Sequence, residues 1–456
     1  MKIDAGIFKA YDIRGIYEEN LDENLAYKIG RAYATLLQNE SDKDQLEVVV
    51  SRDMRESSES LSEALIKGLN DQGVNVVNIG MSSTPTFYFA VAYYDYDGGV
   101  QVSASHNPAE YNGFKMTRAK AVPVSGETGI EDIRDMVLAD SWNEPDSKGT
   151  IGMRDGIMDE LVKVQTEEWM IDLDKIKGFK IVVDAANAMG AVDMQNLFAE
   201  MDVELVPVNF ELDGSFPNHE ADPLKEENME QLREAVLEHK ADLGIATDGD
   251  GDRIFLMDEK GVTVRPDVLR GLIAQMVLRD FPGATIGYDI RPGKITVDLI
   301  EQAGGIPLIT KVGHSLIKES MIKHDSAYGG ESSGHFYFRF SFGTFDSPIV
   351  LVLKFLEIMM EERKPVSEII APHLIYPQSG EINSVVDDPK AVFEALAEKY
   401  SDADISYLDG ITITYDTFWF NVRASNTEPK VRLNLEAVDQ ATMAEKRDEV
   451  LSIIRG

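Results

Sequence analysis

The sequence predicts an α/β protein built from several domains, and three observations support this prediction. The chain has 456 residues, which exceeds the roughly 250–300 residues at which a single hydrophobic core stops growing. Short apolar runs alternate with helix-like segments as far as about residue 370, a pattern typical of doubly wound α/β domains. After about residue 371 the strand-like runs alternate apolar with polar residues, as in an antiparallel sheet with one exposed face. We therefore expect three similar doubly wound α/β domains followed by a smaller α+β C-terminal domain.

The elements recur in a similar order along the chain. A strand at 47–50 precedes a helix that ends near residue 70, and Gly73 begins the turn into the next strand. Comparable strand ends follow at 183–185 and 288–291, which indicates a weak internal repeat. The expected domain boundaries are 1–152, 153–257, 258–370 and 371–456. Further strands are expected at 74–79, 98–102, 179–183, 203–207, 242–247, 285–288, 306–310, 411–414 and 431–435, and further helices at 156–170, 224–239, 294–303, 314–322, 390–400 and 443–454.

The composition limits the classes of partner and the compartment. The chain has no cysteine, which excludes disulfides, thiolate catalysis and zinc–thiolate sites. We find no secretory signal and no run of about 18 apolar residues, so we expect a cytoplasmic protein without a membrane partner. Its 80 acidic and 44 basic residues give a net charge of −36, which argues against binding to nucleic acid or to anionic membranes. A site for an anionic substrate must then concentrate cations locally, and the cations in or near the motif loops are Arg14, Lys115, Arg253, Arg291, Arg423 and Lys430.

A possible nucleophile follows the strand expected at 98–102. A His-Asn-Pro sequence ends that strand, because proline lacks the N–H donor that a strand ladder needs. We therefore expect Ser105 on an exposed turn beside His106, with a second turn over 111–115 that ends at Lys115. A hydroxyl, a possible base and a lysine on one loop suit acyl or phosphoryl transfer. The alternative is an ordinary surface turn rich in Ser, Asn and Pro.

Three carboxylates separated by glycines form a candidate metal site. Asp248, Asp250 and Asp252 follow an expected strand, and their oxygens can converge on one hard cation. An EF-hand loop is an alternative, since Glu259 falls at its twelfth position. However, Arg253 stands where that loop needs glycine, and the flanking segments resemble strands. A solvated acidic turn is the remaining alternative.

Two later loops are candidates for binding a sugar phosphate. The polar loop at 329–335 contains Glu331, whose carboxylate can accept hydrogen bonds from sugar hydroxyls, although a plain glycine-rich turn is the alternative. The loop at 423–429 begins with Arg423, and arginine with hydroxyl, amide and backbone N–H donors can surround a phosphate dianion. An ordinary turn is again the alternative. The other donors of this loop are Ser425, Asn426 and Thr427.

Together with the opening segment at 8–15, these motifs resemble those of the α-D-phosphohexomutase family, in its phosphomannomutase/phosphoglucomutase branch. The resemblance rests on Ser-Ala-Ser-His-Asn-Pro at 103–108, Tyr-Asn-Gly-Phe-Lys at 111–115 and the aspartate loop, and it spans residues 8 to 429. It departs from the family at Val312, where threonine is common, and at Arg291, where lysine is common.

The resemblance implies a role for each motif residue. Ser105 carries a phosphoryl group, and Mg²⁺ is held by the three aspartates and a phosphoserine oxygen. Lys115 is the general acid/base, with His106 second, while Arg14 and Arg253 stabilise charge. The residues implied to bind substrate are Tyr11, Arg291, His314, Glu331, Ser333, His335, Arg423, Ser425, Asn426 and Thr427.

The resemblance also implies a reaction and its alternatives. The expected enzyme interconverts the 1- and 6-phosphates of mannose, glucose or both in a central cleft, through a bound hexose 1,6-bisphosphate. It is expected to bind only small phosphosugars and to be a monomer or a homodimer. A phosphoglucosamine mutase is an alternative, although Tyr11-Asp12-Ile13-Arg14 and Tyr111-Asn112-Gly113-Phe114-Lys115 weigh against it. A calcium-binding module would explain one loop only, and a non-catalytic phosphosugar sensor would leave the filled catalytic positions unexplained.

Overall fold

A computed structural model describes residues 3–142, 144–291, 293–424 and 430–456. The chain forms two compact units. The first unit comprises Met1–Val264 and Ser333–Ser367, and the second comprises Arg265–Ser332 and Glu368–Gly456. In the part of the chain that the structure describes, no helix is both long and apolar enough to cross a bilayer.

The first sheet has six strands in the order β1-β5-β4-β2-β3-β6. Strands β4, β2, β3 and β6 are parallel to one another, whereas β5 runs antiparallel to both β1 and β4. Residues 111–115 therefore begin a central strand, and the turn expected there is wrong. One of its two partners, β4, is close in sequence, but the other lies at 13–16, almost a hundred residues earlier, so no local pattern indicates that β5 is enclosed on both sides. The elements are β1 (Ile13–Ile16), α1 (Glu23–Glu40), β2 (Glu47–Arg52), α2 (Ser58–Asp71), β3 (Asn75–Met81), α3 (Thr84–Tyr93), β4 (Gly98–Val102), β5 (Tyr111–Arg118), a π-helical turn (Gly126–Ile130), α4 (Glu131–Ala139) and β6 (Ile151–Met153).

The core of this domain lies between the sheet and the pair α1 and α2. Helix α1 begins at an Asp22 N-cap, whose side chain accepts a hydrogen bond from the Leu25 N–H. Leu25, Ile29 and Leu36 recur at helical spacing and are buried on one face of α1. They join the apolar side chains of β2, β4 and α2 in one cluster. This cluster fixes the carboxyl end of β4, where the Ser105 loop begins.

The second sheet has four strands in the order β10-β9-β7-β8. Strands β8, β7 and β9 are parallel, and β10 pairs antiparallel with β9. The segment expected to be one helix at 224–239 is a 3₁₀ turn at 226–229 followed by an α-helix. The β9–β10 hairpin encloses the aspartate loop. The elements are α5 (Ile157–Glu168), β7 (Lys177–Asp184), α6 (Gly190–Ala199), β8 (Asp202–Val208), α7 (Glu230–His239), β9 (Leu243–Thr247) and β10 (Ile254–Met257).

The third α/β region contributes to both units. In the second unit, β12, β11 and β13 lie side by side and parallel. In the first unit, β14 and β15 form an antiparallel hairpin. The elements are α8 (Pro266–Asp280), β11 (Thr285–Asp289), α9 (Lys294–Gln302), β12 (Ile306–Thr310), α10 (His314–Lys323), β13 (Tyr328–Gly330), β14 (Phe336–Phe340), β15 (Gly343–Asp346), α11 (Pro348–Glu362) and α12 (Val366–Ile370).

The C-terminal domain is an antiparallel five-stranded sheet with two helices. Its strands follow the order β16-β20-β19-β18-β17. Buried residues of β18, β19 and β20 pack against both helices in one apolar cluster. Three α/β domains followed by a smaller α+β domain are therefore confirmed. The elements are β16 (Ile382–Val385), α13 (Pro389–Lys399), β17 (Asp404–Ser406), β18 (Ile411–Thr414), β19 (Phe418–Ala424), β20 (Lys430–Ala437) and α14 (Gln440–Arg455).

Candidate active site

Ser105 lies on the loop between β4 and β5, beneath the aspartate loop. Its hydroxyl donates a hydrogen bond to Asp248 Oδ2 at 2.8 Å and lies 3.3 Å from His106 Nδ1. Ser105 is only 1% exposed, so the exposed turn expected there is wrong. The covering residues come from 143 positions later in the chain, which a local sequence pattern cannot reveal.

A glycine of the aspartate loop permits this close packing. A Cβ added to Gly249 would lie 2.3 Å from the Ser105 carbonyl oxygen, closer than real Cβ contacts allow. Ser105 itself has a φ of +51°, in the left-handed region that non-glycine residues seldom adopt. Such strain persists where surrounding contacts fix the backbone, and it marks this loop as a constrained part of the site.

The three aspartates form a compact group of buried carboxylates. One ligand oxygen from each lies within 4.8 Å of those of the others. Burial, together with the charges of Asp250 and Asp252, raises the pKa of Asp248 to about 8. Among the described residues, Asp250 Oδ1 and Asp252 Oδ1 are buried without a hydrogen-bond partner. Buried, unsatisfied carboxylate oxygens beside a serine hydroxyl fit a hard divalent cation such as Mg²⁺.

Two groups hold these carboxylates in place. Lys115 Nζ lies 2.6 Å from Asp250 Oδ2 and 2.6 Å from Asp252 Oδ2. Burial opposes a charged lysine, but the two aspartates outweigh burial and raise the pKa of Lys115 well above its ordinary value. At the start of α3, the Thr84 hydroxyl donates to Asp250 Oδ2 at 2.5 Å, and the Thr84 backbone N–H donates to the Asp250 carbonyl oxygen at 2.9 Å. A helix N-terminus favours a carboxylate at this position.

His106 and two arginines complete the group around Ser105. Arg14 Nη1 donates to Asn107 Oδ1 at 2.5 Å, and Arg253 Nε donates to His335 Nε2 at 3.1 Å. Burial, with the positive charges of Arg253 and Arg14, lowers the pKa of His106 well below its ordinary value. Its imidazole is therefore neutral at physiological pH, a state that can accept or pass on a proton. Tyr11 lies three residues before Arg14 and is half-buried.

His335 lies in the first unit with an orientation fixed by a carboxylate. Its Nδ1 is 3.0 Å from Asp346 Oδ1, at the end of β15. Burial opposes a charged imidazole, but the carboxylates of Asp252 and Asp346 outweigh burial and raise the pKa of His335 above its ordinary value. In the neutral form of the ring, a proton on Nδ1 satisfies the contact with Asp346 and leaves Nε2 to accept from Arg253. The nearby Ser333 is buried in the same unit, and its hydroxyl has no partner within the described ranges.

In the second unit, Arg291 is held by two carboxylates. Its Nη2 donates to Glu331 Oε1 at 2.8 Å, and its Nε donates to Asp289. Asp289 also accepts from the fully buried Arg270 at 2.5 Å. Sequence reasoning missed this second arginine, because its position in the middle of α8 gives no motif signal. His314 begins α10 in this unit.

The predicted phosphate loop is described only at its start. Arg423 lies in β19, where its Nη2 donates to Glu381 Oε2 at 2.9 Å. Ser425, Asn426 and Thr427 lie outside the described residues.

Arg55 is a site-supporting residue that sequence reasoning missed. Its side chain is fully buried, and its guanidinium group donates to four backbone carbonyls of the Ser105 loop. The distance is 2.7 Å to the oxygens of Ser105, Asn107 and Pro108, and 3.0 Å to that of Tyr111. The only signal in the sequence is its place in the Ser-Arg-Asp-x-Arg segment after a strand, which does not distinguish it from a surface arginine.

Comparisons with known proteins identify the family. Residues 5–144, 159–261 and 265–374 match the α/β/α domains I, II and III of the phosphoglucomutase/phosphomannomutase family, in that order. Residues 381–453 match the C-terminal domain of the same family. The chain belongs to the phosphoglucomutase/phosphomannomutase family. It is an enzyme of the isomerase class, a phosphohexomutase.

Individual relatives match over nearly their whole length. A phosphomannomutase of Vibrio cholerae is 40% identical, with 98% of each chain covered. A phosphomannomutase of Methanocaldococcus jannaschii is 39% identical, with 99% of this chain and 98% of the relative covered. The crystal structure of a phosphoglucomutase/phosphomannomutase family protein from Burkholderia thailandensis superposes with a TM-score of 0.89 at 31% identity, covering 99% of this chain and 97% of that one.

Proposed function

We propose that this enzyme interconverts the 1- and 6-phosphates of mannose, glucose or both, with Ser105 as the phosphoryl carrier and a hexose 1,6-bisphosphate as the bound intermediate. The observation that carries the proposal is the burial of the Ser105 hydroxyl between the His106 imidazole and the aspartate cluster. Relatives named phosphomannomutase, at about 40% identity over almost the full chain, support the substrate class.

In the proposed first half-reaction, a hydroxyl oxygen of the bound sugar phosphate attacks the phosphorus on Ser105. The new P–O bond forms as the bond from phosphorus to Ser105 Oγ breaks, which gives the 1,6-bisphosphate. The sugar hydroxyl loses a proton, and Ser105 Oγ gains one. In the second half-reaction the other phosphoryl group returns to Ser105 by the reverse sequence, so the serine is again phosphorylated.

Lys115 and His106 are the proposed proton carriers. Two carboxylates keep Lys115 protonated, so it acts first as an acid. His106 is neutral and 3.3 Å from the Ser105 hydroxyl, so it is the proposed acceptor of the proton that the sugar hydroxyl loses, while Lys115 supplies the proton that Ser105 Oγ gains. Arg14 and Arg253 contribute positive charge beside the transferring group.

Asp248, Asp250 and Asp252, together with a phosphoserine oxygen, are proposed to hold Mg²⁺. When bound, this ion neutralises charge on the phosphoryl group and leaves the sugar oxygen free to attack.

The remaining polar residues are proposed to bind the substrate at a distance from phosphorus. The Glu331 carboxylate accepts hydrogen bonds from sugar hydroxyls that glucose and mannose share, and the Ser333 hydroxyl donates to them or accepts from them. Arg423 and its loop hold the phosphate that does not react. The other proposed substrate contacts are Tyr11, Arg291, His314, His335, Ser425, Asn426 and Thr427. The predicted domain boundaries at 1–152, 153–257, 258–370 and 371–456, a cytoplasmic location and a monomeric or homodimeric state stay predictions.

Intact-mass spectrometry and steady-state kinetics on Ser105→Ala test the phosphoserine. We expect one phosphate on the purified wild-type enzyme and none on Ser105→Ala, whose mutase turnover should fall by at least about a thousandfold. Ser103→Ala, on the same loop, is the matched control and should keep the phosphate. Near-normal turnover of Ser105→Ala with added bisphosphate would refute the role. Parallel assays on mannose, glucose and glucosamine 1-phosphates decide the sugar, and a preference for glucosamine would overturn the proposed substrate class.

A further inference from the structure

Two arginines of the C-terminal domain stand directly opposite each other. Arg423 of β19 and Arg432 of β20 are paired Cα partners in the antiparallel ladder. Like charges that stand directly opposite each other destabilise a strand pair unless an anion lies between them. We therefore expect an anion between Arg423 and Arg432.

Glu381 supplies that anion from within the chain. Its Oε2 accepts from Arg423 Nη2 at 2.9 Å and its Oε1 accepts from Arg432 Nη1 at 3.3 Å. Asn434 Nδ2 lies 3.4 Å from Glu381 Oε2. Burial favours a neutral carboxyl, but Arg423 and Arg432 outweigh it and lower the pKa of Glu381. The carboxylate thus bridges the two arginines in its charged form.

The single carboxylate does not satisfy both arginines. The Nε atoms of Arg423 and Arg432 are buried and have no hydrogen-bond partner among the residues that the structure describes. Two positive charges face one negative charge, so a net positive charge and unused N–H donors remain. A phosphate dianion offers more acceptors and twice the charge of a carboxylate, and it matches paired guanidinium groups.

We infer that Arg432 is a second phosphate-binding arginine beside Arg423, and that Glu381 occupies the position of the phosphate until a phosphate monoester displaces it. The inference rests on the proposed function, which gives Arg423 the non-reacting phosphate. Its new content is the role of Arg432 and the competition from Glu381. This competition weakens phosphate binding, which suits a reaction whose bisphosphate intermediate must leave this contact and return in the opposite orientation.

Equilibrium binding measures the competition without turnover. Isothermal titration calorimetry in a Ser105→Ala background uses glucose 6-phosphate and inorganic phosphate as probes. Glu381→Gln should bind both probes about tenfold more tightly, because it removes the competing charge. Arg432→Ala should bind both about tenfold more weakly, and Arg432→Lys should recover part of the loss, since an ammonium group lacks the planar fork.

Matched controls separate a local effect from net charge. Glu398→Gln removes one exposed carboxylate from α13 of the same domain, and Arg447→Ala removes one arginine from α14; both should leave the two dissociation constants unchanged. Unchanged or weaker binding by Glu381→Gln, or unchanged binding by Arg432→Ala, would overturn the inference. Because binding is measured without turnover, the two possible failures can be told apart. A negative mutase assay would contradict the proposed function, whereas unchanged dissociation constants would contradict this inference.

Discussion

At the scale of single residues, the site depends on cations whose hydrogen bonds go to the backbone or to carboxylates. Arg55 is the clearest example. Within the described part of the chain its one carboxylate partner is Asp53, at 3.1 Å, and four further hydrogen bonds of its guanidinium group go to the Ser105 loop. A guanidinium group can serve four carbonyls because its donors are fixed in one plane. Lysine can keep the charge, but it cannot reproduce that geometry.

Replacing Arg55 should therefore reduce turnover more than substrate affinity. For Arg55→Lys we expect kcat to fall at least about tenfold with KM little changed, and Ser105 to carry less phosphate, because the loop loses several charge-assisted hydrogen bonds. Arg55→Ala should also destabilise the fold by about 3–5 kcal/mol, since it leaves the buried Asp53 carboxylate without its positively charged partner.

Steady-state kinetics, intact mass and urea unfolding provide the measurements for Arg55. Arg52→Lys is the matched control, because that arginine lies three residues earlier and is partly exposed. Equal kcat and equal phosphate content in Arg55→Lys and Arg52→Lys would show that the loop does not need this geometry.

At the scale of elements, helix α6 places a carboxyl group against the start of α3. Asp193 is buried there, and burial raises its pKa to about 7, although hydrogen bonds from Ser83 and Thr86 partly offset this. Its ordinary value is 3.8. Because the folded-state pKa is the higher one, the folded state binds the proton more tightly. The stabilising contribution is complete below about pH 4 and is lost as the pH rises to about 7.

Asp193→Asn should remove this pH dependence. Between pH 5 and pH 8 the wild type should lose about 2–3 kcal/mol of unfolding free energy relative to the variant, following about 1.4 kcal/mol per pKa unit. Urea unfolding at both pH values measures this difference. The exposed Asp174→Asn on the same domain should show no such change. If the free energies of unfolding of Asp193→Asn and the wild type differed by the same amount at pH 5 and pH 8, the raised pKa of Asp193 would be contradicted.

The sequence is sufficient to predict most elements but not how distant elements meet. Strands such as β7 and β11 and the C-terminal sheet follow from local periodicity, which depends only on neighbouring residues. The burial of Ser105 and the central position of β5 depend on pairing with residues far away in the chain. For the same reason the sequence identified the aspartates, whose spacing is local, and missed Arg55, whose acceptors lie about fifty residues away.

At the scale of the whole molecule, the acidic charge is counteracted locally at the site. The chain carries a net charge of −36, yet its site cations cluster within each unit. Each has an internal carboxylate partner: Lys115 has the aspartates, Arg291 has Asp289 and Glu331, and Arg423 has Glu381. A substrate anion must therefore replace or join a carboxylate at these positions, so specificity depends on geometry more than on long-range attraction.

The same acidic charge requires that a specific Mg²⁺ site be distinguished from diffuse cation binding. With 80 acidic residues, the surface attracts any divalent cation, but Asp250→Asn removes only one of these carboxylates. At an ionic strength matched with NaCl, a Mg²⁺ concentration of about 100 times Kd should stabilise the wild type by about 2.7 kcal/mol. This stabilisation is seen as a rise in Tm, which Asp250→Asn should lose. The turnover of Asp250→Asn should also fall by about 100-fold or more, since the metal neutralises phosphoryl charge. The exposed Asp174→Asn should keep both. An equal rise in Tm in all three proteins, or full turnover after exhaustive chelation, would mean that the aspartate loop holds no functional metal.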